Sequence, residues 1–198
     1  MTQQTTRIVT VIAAFLGGLA IFSVAIFMVA GRLPTPIPAP SAIGGPFSLV
    51  DQTGKPVTEA DLKGKPSLMF FGFTHCPDIC PTALFDMTQL YKALGRDADK
   101  LQAYFVSVDP ERDTPAILKE YLSSFDPRLR GLTGDPAAVA AMEKAYRVYS
   151  KKIPLDGGGY TMDHTALVYL MDKEGRFVAP FNLKRKPEEA AAELKRYL

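Results

Sequence analysis

Polar and apolar positions divide the chain into three unequal parts. From Ile8 to Ala30 the stretch IVTVIAAFLGGLAIFSVAIFMVA carries no charge over 23 residues and is flanked by Arg7 and Arg32. Wound as a helix at 1.5 Å per residue it is about 34 Å long, enough to cross a hydrocarbon core of about 30 Å. A cleaved leader has a shorter apolar region, about 7 to 15 residues, ahead of a small-x-small site. Residues 8–30 therefore read as an uncleaved, single-pass transmembrane anchor. One arginine on each side leaves the positive-inside rule nearly balanced. The short segment 1–7 is expected to stay in the cytoplasm, with everything after Arg32 translocated. Residues 31–44, GRLPTPIPAPSAIG, have prolines at 34, 36, 38 and 40. Alternating proline favours polyproline II, so Pro34 to Ile43 read as a semi-rigid spacer of about 30 Å.

From residue 45 to 198 the pattern becomes an alternation of strands and helices. FSLVDQTGKPVT predicts a hairpin turning at Gln52, Thr53 and Gly54. SLMFFGF (67–73) is a continuous apolar run of strand length, as a strand buried on both faces requires. Apolar residues at 84, 87, 90, 91 and 94 are at helical spacing between Pro81 and Gly95. LQAYFVSVD (101–109) is a second buried strand. TPAILKEYLSSF and DPAAVAAMEKAYRVY predict helices with proline in the first turn, the second followed by a short extended piece at 148–153. TALVYLMD and RFVAP predict a closing hairpin, and a terminal helix starts at Pro187. Two βα units, a hairpin and a last helix give an α/β fold, a central mixed sheet with helices on both faces. This is the thioredoxin-like layout.

Composition changes little in that picture. Hydrophobic residues at 47% and charged residues at 22% suit a globular domain with an ordinary core. The net charge of +2, with acidic and basic residues mixed, gives no footprint for nucleic acid. The run Lys184, Arg185, Lys186 reads as a solvated face.

The chemistry concentrates in FTHCPDICP (73–81), which holds the chain's only two cysteines and one of its two histidines. The thioredoxin layout puts this stretch where a central strand runs into a helix N-terminus. There free amides and the helix dipole favour thiolate, the form that attacks disulfides and binds metals. Cys76 and Cys80, one turn apart, lie within reach of a disulfide. So small a loop restrains little of the unfolded chain, which argues against a purely stabilising bond. Redox and metal chemistry remain. Two thiolates suit Cu(I), and a third ligand would complete a site with little room for water. His75 is too close along the chain to Cys76 to share an unstrained coordination sphere with it. His164 lies just before the predicted closing hairpin, which the fold would bring toward the cysteine loop; a lone histidine there is more often structural. Gly157 to Gly159 read as a mobile loop, with no helix after it to cradle a phosphate.

FTHCPDICPT, VSVDPERDTP about 30 residues on, and Tyr160, Asp163, His164, Thr165 before the hairpin together resemble the Sco/SenC family of cytochrome c oxidase assembly proteins. The resemblance runs from about Phe47 to the C-terminus. It implies a thioredoxin-like copper chaperone, with Cys76, Cys80 and His164 as ligands for Cu(I) or Cu(II). It further implies a role in assembling the binuclear copper centre of oxidase subunit II, by delivering copper or reducing that subunit's cysteines. An upstream copper donor and a thiol reductant would be further partners. The anchor then sits in the bacterial inner membrane with the domain facing the periplasm. The alternative is a membrane-tethered thiol-disulfide oxidoreductase using Cys76 and Cys80 as redox pair. Against it, the common redox spacing is C-x-x-C, and His164 would have no required task. Asp78 reads as tuning the loop, meeting a partner or capping a turn. Asp109 to Asp113 read as ordering the strand-to-helix junction, with Asp113 able to cap the helix. Met162 reads as a packing residue.

Overall fold

The computed structural model describes residues 3–30 and 43–198. The chain divides into two compact units, Met1–Ala39 and Pro40–Leu198. In the first, helix α1 spans Gln3–Ala30. Its side chains are described for residue 7 and for residues 12–28, all exposed, with Phe27 and Ile21 the most open of the large apolar ones. Among the described residues no helix is long and apolar enough to cross a membrane. Most of the proline-rich stretch, 31–42, lies outside the described residues.

The second unit opens with the expected hairpin. Strand β1 (Ser48–Asp51) pairs antiparallel with β2 (Pro56–Thr58). The turn is organised by Asp51, whose Oδ1 accepts from the Thr53 amide and hydroxyl and from the Lys55 amide. Strand β3 (Ser67–Gly72) is buried at every position and parallel to β4 (Gln102–Ser107), with helix α2 (Ile79–Leu94) between them. Helix α3 (Pro115–Leu122) connects β4 to a third parallel strand, β5 (Leu129–Thr133). Helix α4 (Pro136–Ala145) follows. A two-stranded ribbon comes next, β6 (Ser150–Pro154) with β7 (Tyr160–His164). Strands β8 (Val168–Met171) and β9 (Phe177–Pro180) form the closing hairpin, and helix α5 (Pro187–Leu194) ends the chain. The main sheet runs β2-β1-β5-β4-β3-β8-β9.

Adjacent residues of a strand face opposite sides, so Phe70 and Phe71 identify the two layers. Phe70 meets Phe105 at 6.2 Å, and Phe105 meets Tyr121 of α3 at 5.7 Å. Phe71 meets Tyr146, just after α4, at 5.9 Å. Right-handed crossovers put α2 on the same face as α3, and α5 packs on α2. Helices thus cover both faces of a mixed sheet, the thioredoxin-like arrangement expected from the pattern.

Two strands are additions to the sequence pattern. β5 has no local signal because LRGLT puts Arg130 and Gly131 in its middle. The glycine is required by packing: a Cβ there would lie 2.8 Å from Leu122 Cδ1 of α3. Arg130 reaches out of the strand to Asp51 at 3.1 Å. β7 has no strand signal in the sequence because only Met162 in it is buried, and its partner is the exposed β6. Gly157, Gly158 and Gly159 close that ribbon, with positive φ at the last two. Of the basic run, Arg185 is engaged by Glu193 and lies over the Phe181 ring.

Candidate metal centre

Strand β3 ends at Gly72, and the chain turns through 73–78 into α2. Asp78 occupies the N-cap position without a capping bond from its side chain. Cys80 is the second residue of the helix and Pro81 the third, where its missing N–H costs nothing. This places the helix's free amides around the half-buried Cys76. Burial alone would raise the Cys76 thiol. The amides of Asp78, Cys80 and Ile79, with the Cys80 side chain, outweigh that and hold it below the ordinary thiol value. Cys80 is fully buried, and burial pushes its thiol far up, with the charges of Cys76 and Asp113 adding to the effect.

His164 ends β7. Its Nδ1 lies 3.1 Å from the Thr165 carbonyl, which can only accept, so Nδ1 carries the hydrogen. The Nε2 lone pair is left facing Cys80 Sγ at 3.8 Å. The Phe73 ring meets the imidazole edge to face at 5.6 Å and 89°, and Phe70 lies 6.3 Å away. Cys76, Cys80 and His164 form a group whose ligand atoms all lie within 4.8 Å of one another. Two sulfurs and one imidazole nitrogen so arranged could hold a soft or borderline ion with few places for water. The bond from Nδ1–H to a carbonyl is the supporting contact that fixes a ligating histidine's tautomer.

The other sequence candidates fall outside this group. His75 is exposed and turns its Nδ1 to Thr74 Oγ1 at 3.1 Å. The Met162 side chain is buried in the core. Asp113 is fully buried and accepts from the Thr74 amide at 3.0 Å, the Thr74 hydroxyl at 2.6 Å and Ser107 Oγ at 2.7 Å. It fastens the cysteine loop to the end of β4. It does not cap α3: Thr114 does, accepting from the Ile117 amide at 3.4 Å. Asp109 is bonded to Arg112 and to the Tyr160 hydroxyl.

Sequence reasoning passed over two contributors. Gly72 lets β3 pass close under the site, since a Cβ there would lie 2.7 Å from Cys80 Sγ. Arg112 stood in view between Asp109 and Asp113 without a signal of its own. Beside the centre a groove of about 470 Å³ runs between α2 and the β9–α5 connection, lined by Ile79, Ala83, Leu167, Phe181 and Leu183 with Asp78 at its rim.

With this geometry in hand, known proteins supply a context. The chain matches the family described as SCO1/SenC over residues 36–198. It is 49% identical over 141 residues to Protein SCO2, mitochondrial, of Saccharomyces cerevisiae, a match covering 69% of this chain and 46% of that protein. It thus spans less than half of the yeast relative's length. To the SCO2-like protein of Rickettsia felis it is 39% identical over 155 residues, covering 77% of this chain and 76% of that one. Among solved structures, Bradyrhizobium japonicum ScoI with copper bound is 68% identical with a TM-score of 0.77, covering 79% of this chain and 99% of that chain. The chain belongs to the SCO1/SenC family.

Proposed function

We propose that this protein is a membrane-anchored copper chaperone that binds copper through Cys76, Cys80 and His164. Its task is to help assemble the binuclear copper centre of cytochrome c oxidase subunit II. The observation that carries the reading is the convergence of the only two cysteines and one histidine, from β7 and the start of α2, to within 4.8 Å. The copper held by the similar ScoI supports copper as the cargo. Copper captured by the two thiolates and the Nε2 of His164 would pass to the target by ligand exchange. The target's thiolates replace those of Cys76 and Cys80 in turn, so no substrate bond is made or broken. Oxidation of Cys76 and Cys80, giving two electrons and two protons to a partner disulfide, joins the sulfurs and removes both thiolate ligands. A copper donor and a thiol reductant complete the set of partners.

The anchor is residues 8–30, a single pass through the bacterial inner membrane, with 1–7 in the cytoplasm. Residues 31–44 form the spacer and residues 45–198 the copper-binding domain in the periplasm. The uncharged run of 23 residues in the sequence supports this.

One observation favours a second reading, a thiol-disulfide reductase acting on the oxidase copper site or on other exported proteins. Cys76 is the more accessible and more acidic thiol and Cys80 the buried one, the asymmetry of an attacking and a resolving cysteine. Titration of the reduced domain from Gly44 onward with Cu(I) and Cu(II) separates the two, repeated with His164→Ala and with Cys76→Ser/Cys80→Ser. The chaperone reading expects binding to be lost in the cysteine variant and its affinity and spectrum to change with His164→Ala. Copper binding unaffected by His164→Ala, together with catalytic disulfide reduction by the wild type, would leave the reductase.

A further inference from the structure

His164 stands on a ribbon that the main sheet does not include. Among the described residues, strands β6 and β7 pair only with each other. The bonds beside His164, from the Thr165 amide to the Tyr149 carbonyl and from the Tyr149 amide to Thr165 Oγ1, join the ribbon's own two sides. Met162 seats the middle of β7 in the core. The polar fastening lies around Tyr160, four residues before His164, where Lys152 of β6 also pairs with Glu111. Arg112, in the β4–α3 connection, donates from Nη1 to the Tyr160 carbonyl at 2.9 Å and pairs through Nε with the buried carboxylate of Asp109. The Tyr160 hydroxyl donates to the other oxygen of Asp109 at 2.8 Å.

The same guanidinium touches the imidazole's surroundings by a second route. It lies over the Tyr160 ring, 3.8 Å from the centroid, and 5.9 Å from the centroid of Phe73, the ring that stands edge to face with His164. The side chains of Tyr160, Met162 and His164 share one face of β7 by the strand's period of two. Moving Tyr160 therefore moves the platform from which His164 reaches the cysteines.

We infer that Arg112, braced by Asp109 and Tyr160, is a positioning residue that sets the approach of His164 to Cys76 and Cys80 and thereby tunes which oxidation state of copper the site favours. The inference rests on the reading of those three residues as the copper site. Two soft thiolates suffice for Cu(I), whereas the imidazole adds the donor that Cu(II) prefers. Loosening Arg112 therefore weakens Cu(II) more than Cu(I).

The test uses the full-length chain in detergent, with Arg112→Gln and Tyr160→Phe, each alone and combined with His164→Ala. Tyr160→Phe keeps the Arg112–Asp109 pair, so it carries the test if Arg112→Gln does not fold. The first readout needs no metal: amide hydrogen exchange across residues 160–164 rises in both variants, while β3 and α2 keep their protection. The second is titration with Cu(II), followed by its charge-transfer band, and with Cu(I). Arg112→Gln lowers Cu(II) affinity about 10- to 100-fold, the usual effect of removing a group that orients a ligand. Cu(I) affinity falls by less, and Tyr160→Phe moves both the same way by a smaller factor. In the His164→Ala background neither variant has a further effect on copper. Unchanged exchange in β7, or the same loss of affinity with and without His164, overturns the inference. A wild-type chain that bound no copper would instead overturn the site reading, and the exchange result would still judge the latch.

Discussion

A methyl group added at Gly72 tests the closeness of packing beneath the centre. In Gly72→Ala the new Cβ would lie 2.7 Å from Cys80 Sγ, 2.7 Å from Phe105 Cε2 and 3.2 Å from Phe70 Cε1. Heavy atoms are at their best separation near 3.5–4.0 Å, so two neighbours on different elements must each retreat by about 1 Å. Neither has room: Cys80 and Phe105 are both fully buried, one in the first turn of α2 and the other against Tyr121. Overpacking of this kind costs about 1–3 kcal/mol, which in a domain of this size lowers Tm by roughly 2–12 °C. The retreat of Cys80 Sγ also exceeds the tolerance of about 0.2 Å on a metal-ligand distance, so copper affinity falls about tenfold or more. Urea unfolding of the 44–198 domain and copper titration read the two effects. Gly157→Ala is the control, because a Cβ there meets nothing within 4 Å. A Gly72→Ala domain within about 0.5 kcal/mol of wild type and unchanged in copper affinity would refute the reasoning, since the overpacking range starts at about 1 kcal/mol.

Three other outcomes are expected. Asp113→Ala leaves the part-buried Thr74 amide and the Thr74 and Ser107 hydroxyls without their acceptor and lowers stability by about 3 kcal/mol in urea unfolding, while Asp113→Asn keeps an acceptor and costs less. Iodoacetamide labels Cys76 in the folded protein at pH values where an unfolded cysteine has become slow, because Cys76 keeps its thiolate to lower pH; mass spectrometry finds Cys80 labelled only after unfolding. Burial works to raise Asp51, but its bonds from Thr53, Arg130 and Lys55 outweigh this and hold it down to about 2. Its folded value lies below the unfolded one of about 3.9, so its contribution is complete above that pH and is lost as pH falls toward 2. Acid unfolding of Asp51→Asn, followed by circular dichroism, lacks that part of the pH dependence.

Most of the fold was legible because its core strands state their burial directly. β3 and β4 are built on the apolar runs LMFF and AYFV, and α3 and α4 announce themselves by Thr114-Pro115 and Asp135-Pro136. β5 was not legible because its fitness for the sheet depends on α3: Gly131 is there to admit Leu118 and Leu122, a fact of tertiary packing with no local trace. The cysteines could be placed at a helix start from the order of strands and helices, with which Pro81 agrees. His164 could be singled out, but its partners could not. The Thr165 carbonyl that fixes its tautomer and the Phe73 ring that orients it are backbone and apolar groups, which carry no chemical signature in a sequence. Asp113 shows the converse: a charged residue beside a helix start suggests a cap, and only the fold reveals that its carboxylate turns to Thr74 instead.

The unequal burial of the two sulfurs gives the centre a direction. Cys80 has no surface open to solvent, whereas Cys76 does. An incoming thiolate or a foreign disulfide therefore collides with Cys76 first, and Cys80 becomes reachable only after that first bond has been exchanged. The order of the two exchange steps is set by access. Their rates can consequently evolve separately: the first through the amides that stabilise Cys76, the second through how readily the wall around Cys80 opens.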